Sequence, residues 1–276
     1  MNYRSLFAPH QLESSLLSLQ PIIDAATDLG AHLDIIIVGT LMRFTPSAGW
    51  TSLDGYWGEH YSDTVKRCEA RVGAVREALA AAGVSGEVSY ECIELGELDK
   101  VLIRRALLAD ASVFSAGNVR EHDTMASAFN DLLLGSGRPV LLLGDEARSL
   151  KPLRRIIVAW THKRESARAL RDSLPLLSTA EDVRLVTIDL ADEDNAPKPD
   201  QGVSAYLARH GINAEIDNLE TDGLSVSETL KAYADTIEAD LIVMGAYGHS
   251  RLREWLLGGT TREMLKDCRK PILMSH

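Results

Sequence analysis

The feature that most constrains this chain is a regular alternation of short apolar runs with helical patterns through residues 155–276, repeated with poorer punctuation through residues 1–144. Arg155-Ile-Ile-Val-Ala-Trp160 is rich in β-branched residues, too brief for a helix and apolar on both faces, as a central parallel strand must be. A helix is predicted from Lys163 to Leu177, with Ala167, Leu170, Leu174 and Leu177 on one face. Strands follow at Val183–Ile188, Asn213–Leu219, Leu241–Met244 and Pro271–Met274, with a polar loop at Asp189–Gln201 and helices at Val203–His210, Ser225–Glu238, capped by Ser225 or Ser227, and Thr260–Cys268. In the first half, strands are expected at Arg4–Ala8, Leu33–Val38, Glu87–Ile93, Ala111–Ser115 and Pro139–Leu143. The helices between them fall at Leu12–Leu29, Asp63–Ala82, Leu98–Leu108 and Thr124–Leu134.

Strands alternating with helices at this spacing predict an α/β protein with two tandem, doubly wound, five-stranded and mostly parallel sheets. The repeat has a period of about 140 residues, and its ends correspond best: Gly-Arg-Pro-Val-Leu-Leu-Leu143 matches Arg-Lys-Pro-Ile-Leu-Met274. We therefore expect one domain over 1–144, a polar, Pro-containing linker over 145–154, and a second domain over 155–276.

Charge narrows the functional classes. Twenty-nine Lys and Arg against 40 Asp and Glu give a net charge of −11, which repels polyanions and argues against nucleic acid as a partner. Most of the acidic excess lies in residues 1–150, so a phosphate ligand is better accommodated by the second half. The three cysteines, Cys68, Cys92 and Cys268, have no CxxC spacing and read as inert thiols of a reducing compartment. Without an apolar leader or a run long enough to cross a membrane, the expectation is a cytoplasmic protein. The eight histidines form no HxH or HxxxH pair, so no metal site is expected, and Walker A, G-x-G-x-x-G and G-x-S-x-G motifs are all missing.

The chemistry concentrates after the fourth strand of the second half. Met244-Gly-Ala-Tyr-Gly-His249 is followed by Gly258-Gly-Thr-Thr261, a G-x2-G-x9-G spacing. Gly245 and Gly248 present no Cβ, so the backbone can turn tightly and a ligand can lie against it. Gly258, Gly259, Thr260 and Thr261 open a helix, where free N–H groups and the helix dipole favour an anion. A phosphate chain fits this description.

The stretch Ala239-Asp-Leu-Ile-Val-Met-Gly-Ala-Tyr-Gly-His-Ser-Arg-Leu-Arg-Glu-Trp-Leu-Leu-Gly-Gly-Thr-Thr261 resembles the signature of the universal stress proteins. Their nucleotide-binding branch carries G-x2-G-x9-G followed by Ser or Thr. The resemblance extends over 151–276, with 1–150 as a second, degenerate copy, and implies an adenine nucleotide alpha hydrolase-like fold with sheet order 3-2-1-4-5. In such a sheet the ligand crevice opens between strands one and four, which would bring Ala159, Trp160 and Thr161 to the same site as Met244 and Gly245. The resemblance implies an adenine nucleotide, ATP or else ADP or AMP, with Mg accompanying it, and an apolar contact from Ile188 beside base and ribose. Two positions depart from the family. Thr161 stands where an Asp usually accepts a hydrogen bond from the adenine amino group; its neutral hydroxyl can still accept, and if poorly aligned it forfeits about 1–3 kcal/mol, or roughly ten- to a hundredfold in affinity. Gly259 replaces a Ser or Thr but keeps its N–H.

Family members pair through their last strands, so an internal pseudo-dimer through Pro139–Leu143 and Pro271–Met274 is implied, with a homodimer of whole chains as an extension. No catalytic residue is placed, and the function implied is a stress-response regulatory protein with at most slow ATP hydrolysis. The alternative is a stress scaffold that binds no nucleotide. His249 reads either as a phosphate contact or as an exposed loop histidine; Arg251 and Arg253 flank the phosphate end or form a solvated face. Phe44, Trp50, Tyr56, Trp57 and Tyr61 cluster in an expected long loop, which reads either as anchored by them to its own domain or as a pocket lid or subunit contact. In the first half Arg120 stands where the second glycine belongs, and Gly135-Ser-Gly137 reads as a helix end, so this half is assigned to scaffolding.

Gly248 supplies the sharpest test at this level. Gly248→Val should abolish ATP binding in a calorimetric titration while leaving the thermal melt in place, because only an exposed turn is altered; Gly117 and Gly135 variants should leave the titration unchanged.

Overall fold

The computed structural model describes residues 3–41, 53–146, 149–188, 201–247 and 259–276. Among these, two compact units divide between Arg138 and Pro139.

The first unit contains β1 (Ser5–Gln11), α1 (Gln20–Leu29), β2 (His32–Leu41), α2 (Leu53–Ala82), β3 (Gly86–Glu94), α3 (Leu98–Ala106), β4 (Ala111–Ser115), α4 (Ala116–Glu121) and α5 (Asp123–Gly135). Its strands run parallel in the order β3-β2-β1-β4. Ile35, Ile36 and Ile37 are fully buried, which requires both faces of β2 to be covered. Phe114 and Phe129 meet edge to face at 5.5 Å, tying β4 to α5. α1 starts with a proline in its first turn and stops at Gly30, whose φ of 63° suits a residue without Cβ.

The second unit contains β5 (Val140–Leu143), β6 (Arg155–Ala159), α6 (Arg164–Leu177), β7 (Asp182–Ile188), α7 (Gln201–Arg209), β8 (Ala214–Leu219), α8 (Val226–Thr236), β9 (Leu241–Gly245), α9 (Gly259–Lys266) and β10 (Ile272–Ser275). The strand order is β5-β10-β9-β6-β7-β8, parallel except for β5, which pairs antiparallel with β10 through Val140↔Met274 and Leu142↔Ile272. Each repeat supplies five strands, and the fifth strand of the first repeat lies in the sheet of the second unit. Gly144 closes that pairing. A Cβ there would stand 2.1 Å from the Arg269 carbonyl oxygen, and the next two N–H groups donate to the carbonyls of Cys268 and Arg269.

Some segments depart from the periodicity. α2 begins at Leu53, so Tyr56, Trp57 and Tyr61 belong to a helix and not to the expected loop; Phe44 and Trp50 lie outside the described residues. β4 ends at Ser115 and runs directly into α4, which places Gly117 in a helix. The expected loop from Asp189 falls outside the described residues up to position 200. The cap of α8 is as expected: the Ser225 hydroxyl accepts from the Glu228 N–H, and Glu228 accepts from the Ser225 N–H.

The two repeats share one device that periodicity does not reveal. Asp110, just before β4, accepts at one carboxylate oxygen from the N–H of Arg4 and of Ser5, at 2.7 and 3.0 Å. Asp240, just before β9, accepts in the same way from Arg154 and Arg155, at 2.7 and 2.9 Å. The backbone completes each clasp, Asp110 N–H donating to Ser5 and Asp240 N–H to Arg155, both at 2.8 Å. Each aspartate thus sets where its strand starts against the first strand of its repeat. Asp110→Ala and Asp240→Ala should each lower the urea midpoint by the equivalent of about 1–2 kcal/mol, the worth of charge-assisted bonds at a half-exposed site; unchanged midpoints would remove the clasp from any account of stability.

Candidate nucleotide site

The Asp240 clasp sets the register that builds this site. With Ile156 opposite Leu241, the pair β6–β9 ends with Ala159 opposite Met244, and on the other side Ala159 lies opposite Val186 of β7. Neighbouring strands β6 and β9 send their chains onward in different directions, β6 to α6 and β9 towards α9, which is the switch point expected of this topology.

Trp160 leaves the end of β6 with its N–H bonded to the Val186 carbonyl at 2.8 Å. Its ring is buried, and the indole Nε1 has no hydrogen-bond partner among the described residues. Thr161 is exposed. Its hydroxyl lies 2.7 Å from that of Ser166, which also accepts from the Thr161 N–H at 3.3 Å. The residue that stands in place of a carboxylate is therefore tied to the first turn of α6 and keeps a lone pair able to accept. Ile188, half-buried, ends β7 opposite Leu219.

Gly245 ends β9, and a Cβ there would meet the Glu165 carbonyl carbon and the Ser166 nitrogen, both at 2.6 Å. What lies against this glycine is the backbone of α6, so its lack of a side chain serves helix-to-strand packing. Glu165 is buried at this contact and its carboxylate accepts from Arg164 at 2.5 Å. Burial pushes its carboxyl up, but the Arg164 bond, its own backbone N–H and the charges of Arg164 and His276 outweigh burial and hold it below the usual range.

Beyond Gly245, Ala246 donates its N–H to Ser275 at 2.9 Å, and the Ala246 carbonyl lies 3.1 Å from His276 Nδ1. Tyr247 then adopts φ of 59°, the left-handed region, a cost of about 1–3 kcal/mol for a bulky side chain. Its ring meets His276 at 6.2 Å, and burial pushes the phenol well above its ordinary value. Tyr247, Glu165, Ser166 and His276 were not expected at the site; the only signal for Ser166 was its place in the first turn after strand one.

The start of α9 supplies the remaining described positions. Gly259 is exposed, with nothing within 4 Å of the place a Cβ would take; Thr260 is half-buried and Thr261 is buried. Glu263 tethers this helix: its carboxylate accepts from the hydroxyls of Ser225, at 3.0 Å, and Ser227, while its carbonyl accepts from Lys231 at 3.0 Å. Gly248, His249, Arg251 and Gly258 lie outside the described residues. A separate pocket at the other end of the strands is lined by Lys231, Asp235, Asp267, Lys270 and Ile272. Its charges pair with one another, Lys231 with Asp267 at 3.7 Å and Lys270 with Asp235 at 3.9 Å, and none of the expected site residues lines it. No group of three His, Cys, Asp or Glu side chains among the described residues could hold a metal ion.

Gly245→Ala tests the packing directly. Because the clash is with backbone, the variant should lose about 1–3 kcal/mol of stability, measured by urea unfolding; full stability would mean that α6 can move away from β9 at no cost.

The Universal stress protein family model matches residues 152–276. A universal stress protein of Synechocystis sp. is 28% identical over 92 residues, which cover 33% of this chain and 31% of that relative, so the match spans about a third of the relative's length. Among solved structures, a universal stress protein from Archaeoglobus fulgidus superposes with a TM-score of 0.73 at 16% identity, over 98% of this chain and 95% of the other. A further structure, described as a putative universal stress protein from Pseudomonas aeruginosa, superposes with a TM-score of 0.56 at 14% identity, over 99% and 93%. At these identities the two structures speak for the fold, whereas the family model speaks for the second half of the sequence. Residues 152–276, the second half of the chain, are thus identified as a universal stress protein domain.

Proposed function

We propose that the second unit binds an adenine nucleotide, ATP foremost and otherwise ADP or AMP, across the ends of β6 and β9, and that the protein regulates a stress response and is not primarily an enzyme. The observation that carries this reading is the meeting of Ala159 and Met244 at the switch point, followed at once by a tyrosine held in the left-handed region. Strain of this kind persists where surrounding structure enforces it, and binding loops are where it gathers. Support comes from the unpartnered Trp160 Nε1, a donor for a polar edge of the ligand, and from the open space beside Gly259, where the N–H groups at the start of α9 can approach phosphate oxygens. By sequence, Gly248, His249, Arg251 and Gly258 complete the loop, with Mg accompanying a bound triphosphate. The pairing of β5 with β10 supports a tandem, pseudo-dimeric arrangement of domains 1–144 and 155–276 joined by 145–154, open to homodimerisation. No described helix is long and apolar enough to cross a membrane.

One observation favours the scaffold alternative. The Thr161 hydroxyl is already bonded to Ser166, and α6 fills the space beside Gly245. The two readings separate in a calorimetric titration of ATP into wild type and Thr161→Asp, preceded by mass spectrometry of any ligand released from purified protein. Nucleotide binding predicts measurable wild-type affinity that tightens roughly ten- to a hundredfold when a carboxylate is restored. Absence of binding by both proteins at millimolar ATP would favour the scaffold.

A further inference from the structure

The first unit, assigned to scaffolding on its sequence, gathers unpartnered polar groups at its own switch point. β1 and β4 are neighbours, with Phe7 opposite Ser112, and three residues further on His10 and Ser115 stand at the ends of their strands. His10 is fully buried, and neither ring nitrogen has a hydrogen-bond partner among the described residues. Ser115 Oγ has none either. Asn118, 1% exposed in α4, accepts at Oδ1 from the Ser14 hydroxyl at 2.6 Å, which orients the amide and leaves Nδ2 unpartnered. Buried polar groups in a folded protein are paired or hold a guest, because each one left over costs about 1–3 kcal/mol.

The character of the guest follows from the donors and charges around it. Asn118 Nδ2 can only donate, and Ser115 and His10 can both donate. Arg71 of α2 spends its guanidinium on the carbonyls of Ser14 and Leu12, at 2.9 and 3.0 Å, and makes no ion pair among the described residues. The charged and titratable groups bearing on His10 are this Arg71 and His122, the residue ahead of α5; Glu13, nearby in sequence, is exposed and paired with Arg67 at 3.3 Å. We propose that the first unit binds a small oxyanion, a carboxylate or a phosphate group, held by His10, Ser115 and Asn118 in the positive field of Arg71. Without a guest, burial first, then Arg71 and His122, hold the imidazole neutral, with its pKa lowered to about 3. An arriving anion reverses the balance at His10, whose protonated ring becomes a second charged donor. An internal water could satisfy the same atoms, but it would carry no charge to answer Arg71.

This proposal is independent of nucleotide binding in the second unit, and its readout is local to the first. The full chain is prepared with labelled histidine, His10 is assigned by the signal lost in His10→Gln, and inorganic phosphate and acetate are titrated in separate arms. The expected result is a saturable shift of the His10 imidazole signals with at least one anion, and an apparent His10 pKa that rises when that anion is present. The responding arm identifies the oxyanion. Asn118→Asp keeps the acceptor for Ser14 and the side-chain shape but adds a negative charge, so the shift should vanish while the thermal melt confirms the fold; if that variant melts early, Arg71→Gln serves the same comparison. His10 signals unmoved by both anions, or moved equally in a folded Asn118→Asp or Arg71→Gln, would overturn the proposal. Loss of the shift in a folded Asn118→Asp distinguishes this site from phosphate bound in the second unit.

Discussion

A single carboxylate holding two consecutive N–H groups decides where each unit's functional end lies. Asp240 grips Arg154 and Arg155 at the start of β6, and parallel pairing then carries the register along to Ala159 and Met244. A slip by one residue would turn every side chain on β6 to the opposite face, exchanging Trp160 with Thr161 in the crevice. Asp110 performs the same task for β1, and through it positions His10 and Ser115. The repeated device links the two halves more closely than their side chains do, because it acts on backbone groups that every sequence possesses.

From that register the site is assembled by close approach. α6 comes so near β9 that only glycine fits at 245, and this proximity lets Ser166 reach back to Thr161 across the end of β6. Glu165 is buried by the same packing and keeps its charge through Arg164, a bond with one partner largely exposed, so it adds more to placement than to stability. On the far side, Glu263 anchors α9 to the first turn of α8. Both Gly245 and the start of α9 are therefore fixed by contacts with neighbouring helices, α6 on one side and α8 on the other.

The two switch points differ in chemistry more than in architecture. The second presents an indole donor, a hydroxyl pair and a helix start opened by glycine; the first presents a buried imidazole, an amide and a guanidinium, and its fourth strand runs straight into α4. Repeats that keep their core pattern can change what the strand ends carry, because core burial constrains the strand interiors and leaves the ends to local chemistry. The first half lacks the glycine loop, but this does not deprive it of unsatisfied, buried polar groups.

Strand and helix order, the cap of α8 and the helix end at Gly135 were legible in the sequence, because they depend on local periodicity and on residues that act within one turn of themselves. The glycine spacing after β9 and its family likeness were legible for the same reason. The extension of α2 back to Leu53 was not, since aromatic residues and glycine there break the helical pattern that the backbone nevertheless follows. Only the tertiary structure showed that Gly245 makes room for α6, that Thr161 is bonded to Ser166, and that His10 lies unpartnered beside Arg71. Each of these joins residues of different elements, and the free energy of such a contact depends on a distance and a burial that chain order does not contain. The sequence by itself thus determined the order of the strands and of the main helices between them. Packing decided which of its polar groups are already satisfied by one another and which are left for a ligand.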